Sequence, residues 1–112
     1  MVRMKRVYEA AEPADGTRVL VDRLWPRGVS KEAAAIDWWA RELAPSSELR
    51  RWFGHEPGRF EDFAERYRAE LRGSEALAAL RRLAEGGTVT LVYAARDEQH
   101  NNARVLRDLL QA

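Results

Sequence analysis

The sequence predicts a single α/β domain in which a small, mostly parallel sheet of about four strands is covered by helices on both faces. The chain has 112 residues, which suits one hydrophobic core and is too short for two. Residues 19–21 are continuously apolar and residues 88–93 are rich in β-branched side chains, as in strands buried on both faces. A polar loop and then a helical pattern follow each of these segments. We therefore expect residues 1–112 to form one three-layer, Rossmann-like domain.

The first strand is predicted at residues 2–8, where apolar and charged side chains alternate. One face of this strand is expected to be solvent-exposed, which favours a position at the edge of the sheet. A turn is predicted at Asp15-Gly16, before the buried strand at residues 19–21. The connection is too short for a helical crossover and favours an antiparallel first pair, although the direction of the first strand stays open.

The middle of the chain contains two capped helices and one ambiguous segment. Ser30 is placed to cap a helix over residues 31–35. Residues 36–43 fit either a strand or a helix by apolar spacing, and a short strand is favoured. After Pro45, Ser46 or Ser47 is expected to cap a short helix that stops at Gly54.

Three further helices are predicted from apolar residues at helical spacing. The first spans residues 57–71 and has the clearest pattern. Gly73-Ser74 ends it and caps a second helix, which runs to Gly86-Gly87. Asp97 is placed to cap the last helix, whose apolar face includes Leu106 and Leu109.

Composition excludes several classes of function. Nineteen basic and eighteen acidic residues give a net charge of +1, which argues against a nucleic-acid partner. No cysteine is present, so disulfides and thiolate chemistry are excluded. No apolar run is long enough to cross a membrane, and the N-terminus does not resemble a signal peptide. A cytoplasmic location is expected by default.

The candidate site lies where the two buried strands end, because open α/β sheets bind ligands at the carboxyl ends of their strands. Six polar residues follow these strands: Asp22, Arg23 and Arg27 after the first, and Asp97, His100 and Asn101 after the second. Gly28 lets the backbone approach a ligand closely. Free backbone N–H groups at Ser30 and at residues 97–99 would add positive potential. These features favour a small anionic ligand, such as a phosphate compound or a nucleotide.

The candidate residues also have structural interpretations. Asp22 and His100 are candidates for acid/base chemistry. The structural alternatives are that Asp22 caps a turn at the end of its strand and that His100 is an ordinary surface residue. The position of Trp25 is more typical of a packing residue than of a platform that stacks on a ligand, and the position of His55 between two helices is typical of a turn. Asn102 tends toward the apolar face of the last helix, so its amide is expected to bind a loop carbonyl.

No cofactor or metal site is indicated. Asp97, Glu98 and His100 lack a second histidine at ligand spacing, and neither a glycine-rich phosphate loop nor a nucleophile elbow is present. The aromatic residues between Trp38 and Tyr67 favour a core, or a core together with a homodimer face.

Several motifs closely resemble the YeaO-like family of small bacterial proteins, a domain-of-unknown-function family numbered 488. They are residues 18–31, 44–46, 52–55, 67–71 and 89–97, with Asn101. The resemblance covers nearly the whole chain and implies no established activity. In a longer related branch, Asp22 aligns with an acid, Tyr93 and Asn101 align with cysteines, and Ala95 aligns with a second acid. Thiol chemistry of that branch cannot carry over to a chain without cysteine, so the resemblance implies only the place of the site, which includes Tyr93.

Four hypotheses follow for this protein. The leading one is binding of a small anion between the two loops. The second is a hydrolase-type enzyme in which Asp22 and His100 carry out acid/base chemistry and Arg27 stabilises the negative charge that develops. The third is a nucleic-acid or protein interaction module without catalysis. The fourth is that the Asp22 and arginine cluster is a structural ion-pair network.

Overall fold

The computed structural model describes all 112 residues and contains one sheet of four strands. The strands are β1 (Val2–Arg6), β2 (Thr17–Leu20), β3 (Trp38–Trp39) and β4 (Val89–Tyr93). Their order across the sheet is β1-β4-β2-β3, so β1 lies at an edge, as predicted. Every pairing is parallel, which confirms the α/β class and makes β2 and β4 neighbours.

Five α-helices connect and cover the strands. They are α1 (Lys31–Ala34), α2 (Ser47–Phe53), α3 (Phe60–Glu70), α4 (Glu75–Gly86) and α5 (Asn102–Gln111). The predicted caps of α1, α2 and α4 are confirmed, because Ser30, Ser46 and Ser74 each accept a backbone N–H from three residues on. The longest helix has 12 residues. No helix combines the length and apolar character needed to cross a membrane.

The two faces of the sheet are covered unequally. Val19 and Val21 belong to the main core, a cluster of 17 buried residues to which α2, α3, α4 and α5 contribute. Leu20, which points to the opposite face, belongs to a smaller cluster with Ala34 of α1. Side chains alternate between the faces of a strand, so the unbroken apolar run at residues 19–21 reflects burial on both sides.

The predicted antiparallel pairing of the first two strands is wrong. β4 lies between β1 and β2, and all three strands point the same way. Residues 7–16 return from the carboxyl end of β1 to the amino end of β2 with a turn closed by the Glu9 N–H on the Arg6 carbonyl and a 3-10 turn at Pro13–Asp15. The short connection does exclude an α-helix, but residues 7–16 return to the amino end of β2 without one. Insertion of the distant β4 leaves no signal in the local sequence.

The ambiguous segment at residues 36–43 contains a short strand, as predicted. β3 is two residues long, and a 3-10 turn at Arg41–Leu43 follows it. Trp38 packs against the main core and Trp39 against the smaller cluster, which is the alternation of a strand. Leu43 is fully buried, so the segment adds to the main core after its strand ends.

A buried ion network holds the segment before β2 against the sheet. The carboxylate of Asp15 has no exposed surface and lies 2.9 Å from Lys5 Nζ and 2.7 Å from Arg18 Nη1. Thr90 Oγ1 donates a 2.7 Å hydrogen bond to the Asp15 carbonyl. Gly16 follows with a φ of 64°, and a Cβ there would collide with the backbone carbonyl of residue 88. The sequence predicts the turn at Asp15-Gly16, but it does not reveal this network.

Candidate functional site

A cavity of about 870 Å³ opens at the carboxyl ends of β2 and β4. Residues 22–27 follow β2 and form one side, and residues 94–97 follow β4 and form another. A third side comes from residues in and around α2. The volume lies in the range of small-molecule pockets, which is roughly 300–1,000 Å³.

Six of the nine predicted site residues line this cavity. They are Asp22, Arg23, Trp25, Arg27, Asp97 and Asn101. The other three, Gly28, Tyr93 and His100, are not in its lining. Tyr93 is buried in the main core, and Gly28 has a φ of 73° that suits glycine in the loop after Arg27.

The carboxylate of Asp22 joins three segments of the chain. Its Oδ2 accepts a 2.9 Å hydrogen bond from the Ala94 backbone N–H, just after β4. Its Oδ1 accepts a 3.1 Å bond from Asn102 Nδ2, in the first turn of α5. Burial raises the pKa of Asp22 above its usual value, and the two hydrogen bonds offset part of that rise. Asp22 forms no ion pair, so the predicted network with neighbouring arginines is absent, and the buried network lies at Asp15 instead.

Asn102 has the structural role that its position predicts. Its Nδ2 also donates a 2.9 Å hydrogen bond to the Val21 carbonyl at the end of β2. One amide group therefore satisfies a backbone carbonyl and the Asp22 carboxylate together. This links the start of α5 to the strand end that carries the predicted site.

Trp25 shapes the loop after β2, as predicted. Its Nε1 donates a 2.8 Å hydrogen bond to the Val29 carbonyl, which closes the loop on itself. Its ring meets Trp39 edge-on, with ring centroids 5.4 Å apart. Trp39 Nε1 in turn donates to the backbone carbonyl of Asp22 at 2.9 Å. The two indoles therefore hold the loop in place through packing and hydrogen bonds.

The loop after β4 is organised by Asp97, but Asp97 does not cap α5. Its Oδ1 accepts the backbone N–H groups of Gln99 and His100 at 2.9 and 3.0 Å. These bonds, with a contact to the His100 ring, hold the pKa of Asp97 below its usual value. Asn101 caps the helix instead, because its Oδ1 accepts the N–H of Arg104 at 2.9 Å. The predicted cap is wrong because the local Asp97 turn uses that carboxylate before the helix starts.

His100 lies outside the cavity lining and packs against Phe60 at the start of α3. Its Nδ1 lies 2.9 Å from Asp97 Oδ2, and its ring meets Phe60 edge-on at 5.3 Å between centroids. Because α5 begins at Asn102, His100 belongs to the preceding loop and not to the first helical turn as expected. The cavity therefore contains Asp22 without His100.

The residues around α2 were not predicted as part of the site. Arg50 and Arg51 lie in the last turn of α2, His55 follows its Gly54 cap, and all three line the cavity. The positive charges of Arg50 and His55 favour the ionised form of Asp22 and so act to lower its pKa. His55 has a φ of 56°, so the predicted turn at this position is also correct. The basic turn before Gly54 is visible in the sequence, but no local pattern shows which part of the sheet it faces.

Five arginines converge on the cavity without partners in the protein. They are Arg23, Arg27, Arg50, Arg51 and Arg96. None of the five forms an ion pair, and none donates a hydrogen bond from its guanidinium group. Only two acidic residues, Asp22 and Asp97, lie in the same lining. The cavity therefore carries an excess of positive charge in a protein that is nearly neutral as a whole.

Comparisons with known proteins agree with the motifs described above. A family model described as the inactive DUF488-N3 subclade matches residues 1–112. An uncharacterized protein of Mycobacterium tuberculosis is 50% identical over 109 residues, which cover 97% of this chain and 92% of the relative. The uncharacterized protein YeaO of Escherichia coli is 44% identical over 112 residues, covering 99% and 97%. No solved structure gives a significant match. The chain therefore belongs to the DUF488 family, among proteins similar to YeaO.

Proposed function

We propose that this protein binds a small phosphate-bearing anion in the cavity between the loops after β2 and β4, and that it does so without catalysis. The observation that carries the proposal is the convergence of five unpaired arginines on one cavity. Arginine recognises phosphate and carboxylate oxygens through a planar fork of N–H donors. A bound anion would supply the partner that these side chains lack within the protein.

What sets the five arginines apart is that they line one cavity, whereas unpaired arginines such as Arg81 lie outside it. Arg3, Arg18 and Arg104 each lie near a carboxylate, as surface and buried cations commonly do. In the cavity the arginines outnumber the acids five to two. One of those acids, Asp22, is half-buried and directs both oxygens to donors within the protein. The arginines are therefore left to act on a ligand.

An acid/base function has less support. Asp22 lines the cavity, but His100 lies outside the lining and contacts Asp97 and Phe60 instead. Of the two groups that the enzyme hypothesis needs on one substrate atom, only Asp22 therefore lines the cavity. The description of the matching subclade as inactive also favours binding over catalysis. The cytoplasmic location and the homodimer stay predictions.

The binding proposal is tested by thermal unfolding of the purified protein with inorganic phosphate, sugar phosphates and nucleotides. A ligand at 100 times its Kd adds about 2.7 kcal/mol to the free energy of unfolding, or roughly 10 °C for a domain of this size. Arg27→Ala removes one charged hydrogen-bond donor and is expected to weaken binding about tenfold or more. The melting temperature without ligand should hardly change, because Arg27 is exposed.

Arg81→Ala is the matched control. Arg81 is an exposed arginine on α4, outside the cavity and without an ion pair, so its removal changes the net charge equally. The control variant should keep the full ligand response. A flat response of the unmodified protein across the whole panel would refute the proposal, and so would an equal loss in the two variants.

A further inference from the structure

Exposed apolar side chains lie at the same cavity as the unpaired arginines. Tyr8 is 51% exposed and Leu24 is 66% exposed, and both line the cavity. Large apolar side chains that stay exposed at a cavity commonly mark a surface that a ligand covers. An inorganic phosphate or a sugar phosphate would leave these two side chains in water.

Tyr8 is held in a fixed position at the cavity. The guanidinium of Arg6 lies over its ring, 5.0 Å from the centroid. Arg6 is itself anchored, because it donates hydrogen bonds of 2.9 Å to the Ala95 carbonyl and 3.2 Å to the Ala94 carbonyl. The Tyr8 hydroxyl donates to the Arg27 carbonyl at 3.3 Å. One face of the ring therefore rests on a cation, and its exposed surface is left for a ligand.

Trp25 does not offer a free ring surface to a ligand as Tyr8 does. Its indole N–H is bound to the Val29 carbonyl, and its ring packs edge-on against Trp39. Among the aromatic residues of the cavity, Phe53 and Phe63 are buried in the main core and stack on each other at 4.4 Å. Tyr8 is the aromatic ring in this lining that combines a fixed position with an exposed surface.

We propose that the ligand is a nucleoside monophosphate whose base stacks on Tyr8 beside Leu24 while its phosphate binds the cavity arginines. This inference rests on the proposed function and names the class of anion. A mononucleotide combines the two chemistries that the cavity offers, a planar apolar group and a compact negative charge. Stacking is tolerant of base identity, so the ring of Tyr8 selects for the presence of a base and not for one base.

The test is isothermal titration of the intact protein with the four ribonucleoside monophosphates, ribose 5-phosphate and inorganic phosphate. At least one nucleotide should bind about 5 to 150 times more tightly than ribose 5-phosphate, the range that base–aromatic stacking gives. Tyr8→Ala should bring nucleotide affinity down to that of ribose 5-phosphate and leave ribose 5-phosphate binding unchanged. Tyr8→Phe keeps the ring and removes the hydroxyl contact to the Arg27 carbonyl, so it should preserve the preference.

Leu83→Ala is the control for loss of an exposed apolar side chain, because Leu83 lies on α4 outside this cavity. It should bind every ligand like the unmodified protein. Equal affinity for nucleotides and ribose 5-phosphate would overturn the inference and leave the proposed function standing. An equal loss in Tyr8→Phe and Tyr8→Ala would also overturn it, because Tyr8 would then act through its hydroxyl on the loop. No binding of any phosphate compound would refute both proposals.

Discussion

Replacing Asp15 with asparagine is expected to destabilise the fold more than any comparable change of a surface carboxylate. The Asp15 carboxylate accepts hydrogen bonds from Lys5 Nζ at 2.9 and 3.2 Å and from Arg18 Nη1 at 2.7 Å. It also accepts the backbone N–H of Glu12 at 3.0 Å. In Asp15→Asn, one carboxylate oxygen becomes an NH₂ group that faces a donor. Lys5 and Arg18, both buried, then lose their shared negative partner.

The size of the effect follows from the burial of this network. Removing one partner of a buried ion pair costs about 3–5 kcal/mol, because the remaining charge is left without compensation. Lys5 keeps a 2.7 Å contact to Glu12, whose side chain is 62% exposed, so the lower end of that range is expected. A loss of about 3 kcal/mol is a large fraction of the 5–15 kcal/mol typical of a domain. Because Asp15 lies on the opposite side of the sheet from the main core, the core itself should stay packed.

Urea unfolding followed by circular dichroism measures this loss. The midpoint of Asp15→Asn should fall by about 1–3 M urea with an unchanged slope. Asp108→Asn is the matched control, since Asp108 is 52% exposed and pairs with Arg104 at 3.3 Å on the surface of α5. The control should lose less than about 1 kcal/mol. Equal losses in the two variants would refute the argument that burial makes the Asp15 network important.

Two further predictions concern the protonation of carboxylates. Burial alone would raise the pKa of Asp15, but its hydrogen bonds outweigh this and lower the pKa from 3.8 to about 2. The stabilising effect of the Asp15 carboxylate is therefore complete above about pH 4 and is lost as the pH falls toward 2. The difference in unfolding free energy between the unmodified protein and Asp15→Asn should shrink over that range. A difference that is constant with pH would contradict the assignment. Asn102→Ala removes a donor that lowers the pKa of Asp22, so a carbon NMR titration should show a higher Asp22 pKa, and an unchanged or lower value would contradict the assigned hydrogen bond.

The sequence predicts the architecture well wherever the pattern is local. Continuous apolar runs such as residues 19–21 predict strands buried on both faces, and Ser30, Ser46 and Gly54 mark helix ends correctly. The order of the strands depends on contacts between distant segments. Nothing near residues 7–16 shows that β4 inserts between β1 and β2. The direction of β1 therefore could not be derived from the turn that follows it.

The lining of the cavity is also predicted only in part from the sequence. Residues that directly follow β2 and β4 must lie at one end of a parallel sheet, which correctly places Asp22, Arg27 and Asp97 at one cavity. Arg50 comes from a helix whose position depends on core packing, so strand-end reasoning does not find it. His100 contacts Asp97 but is absent from the lining, because closeness in sequence to a lining residue does not determine which loop side chains reach the cavity.

The contacts of Asp22 separate the construction of the cavity from the binding that we propose for it. Asp22 bonds to the backbone after β4 and to the first turn of α5, and Asn102 connects the same point to the end of β2. These groups fix the distances between the sides of the cavity, and burial opposes the charged form of Asp22. The cavity arginines are exposed and make no such connections. Loss of Arg27 should therefore weaken ligand binding with little change in stability, whereas loss of Asn102 should weaken both, since a carbonyl left unsatisfied costs about 1–3 kcal/mol.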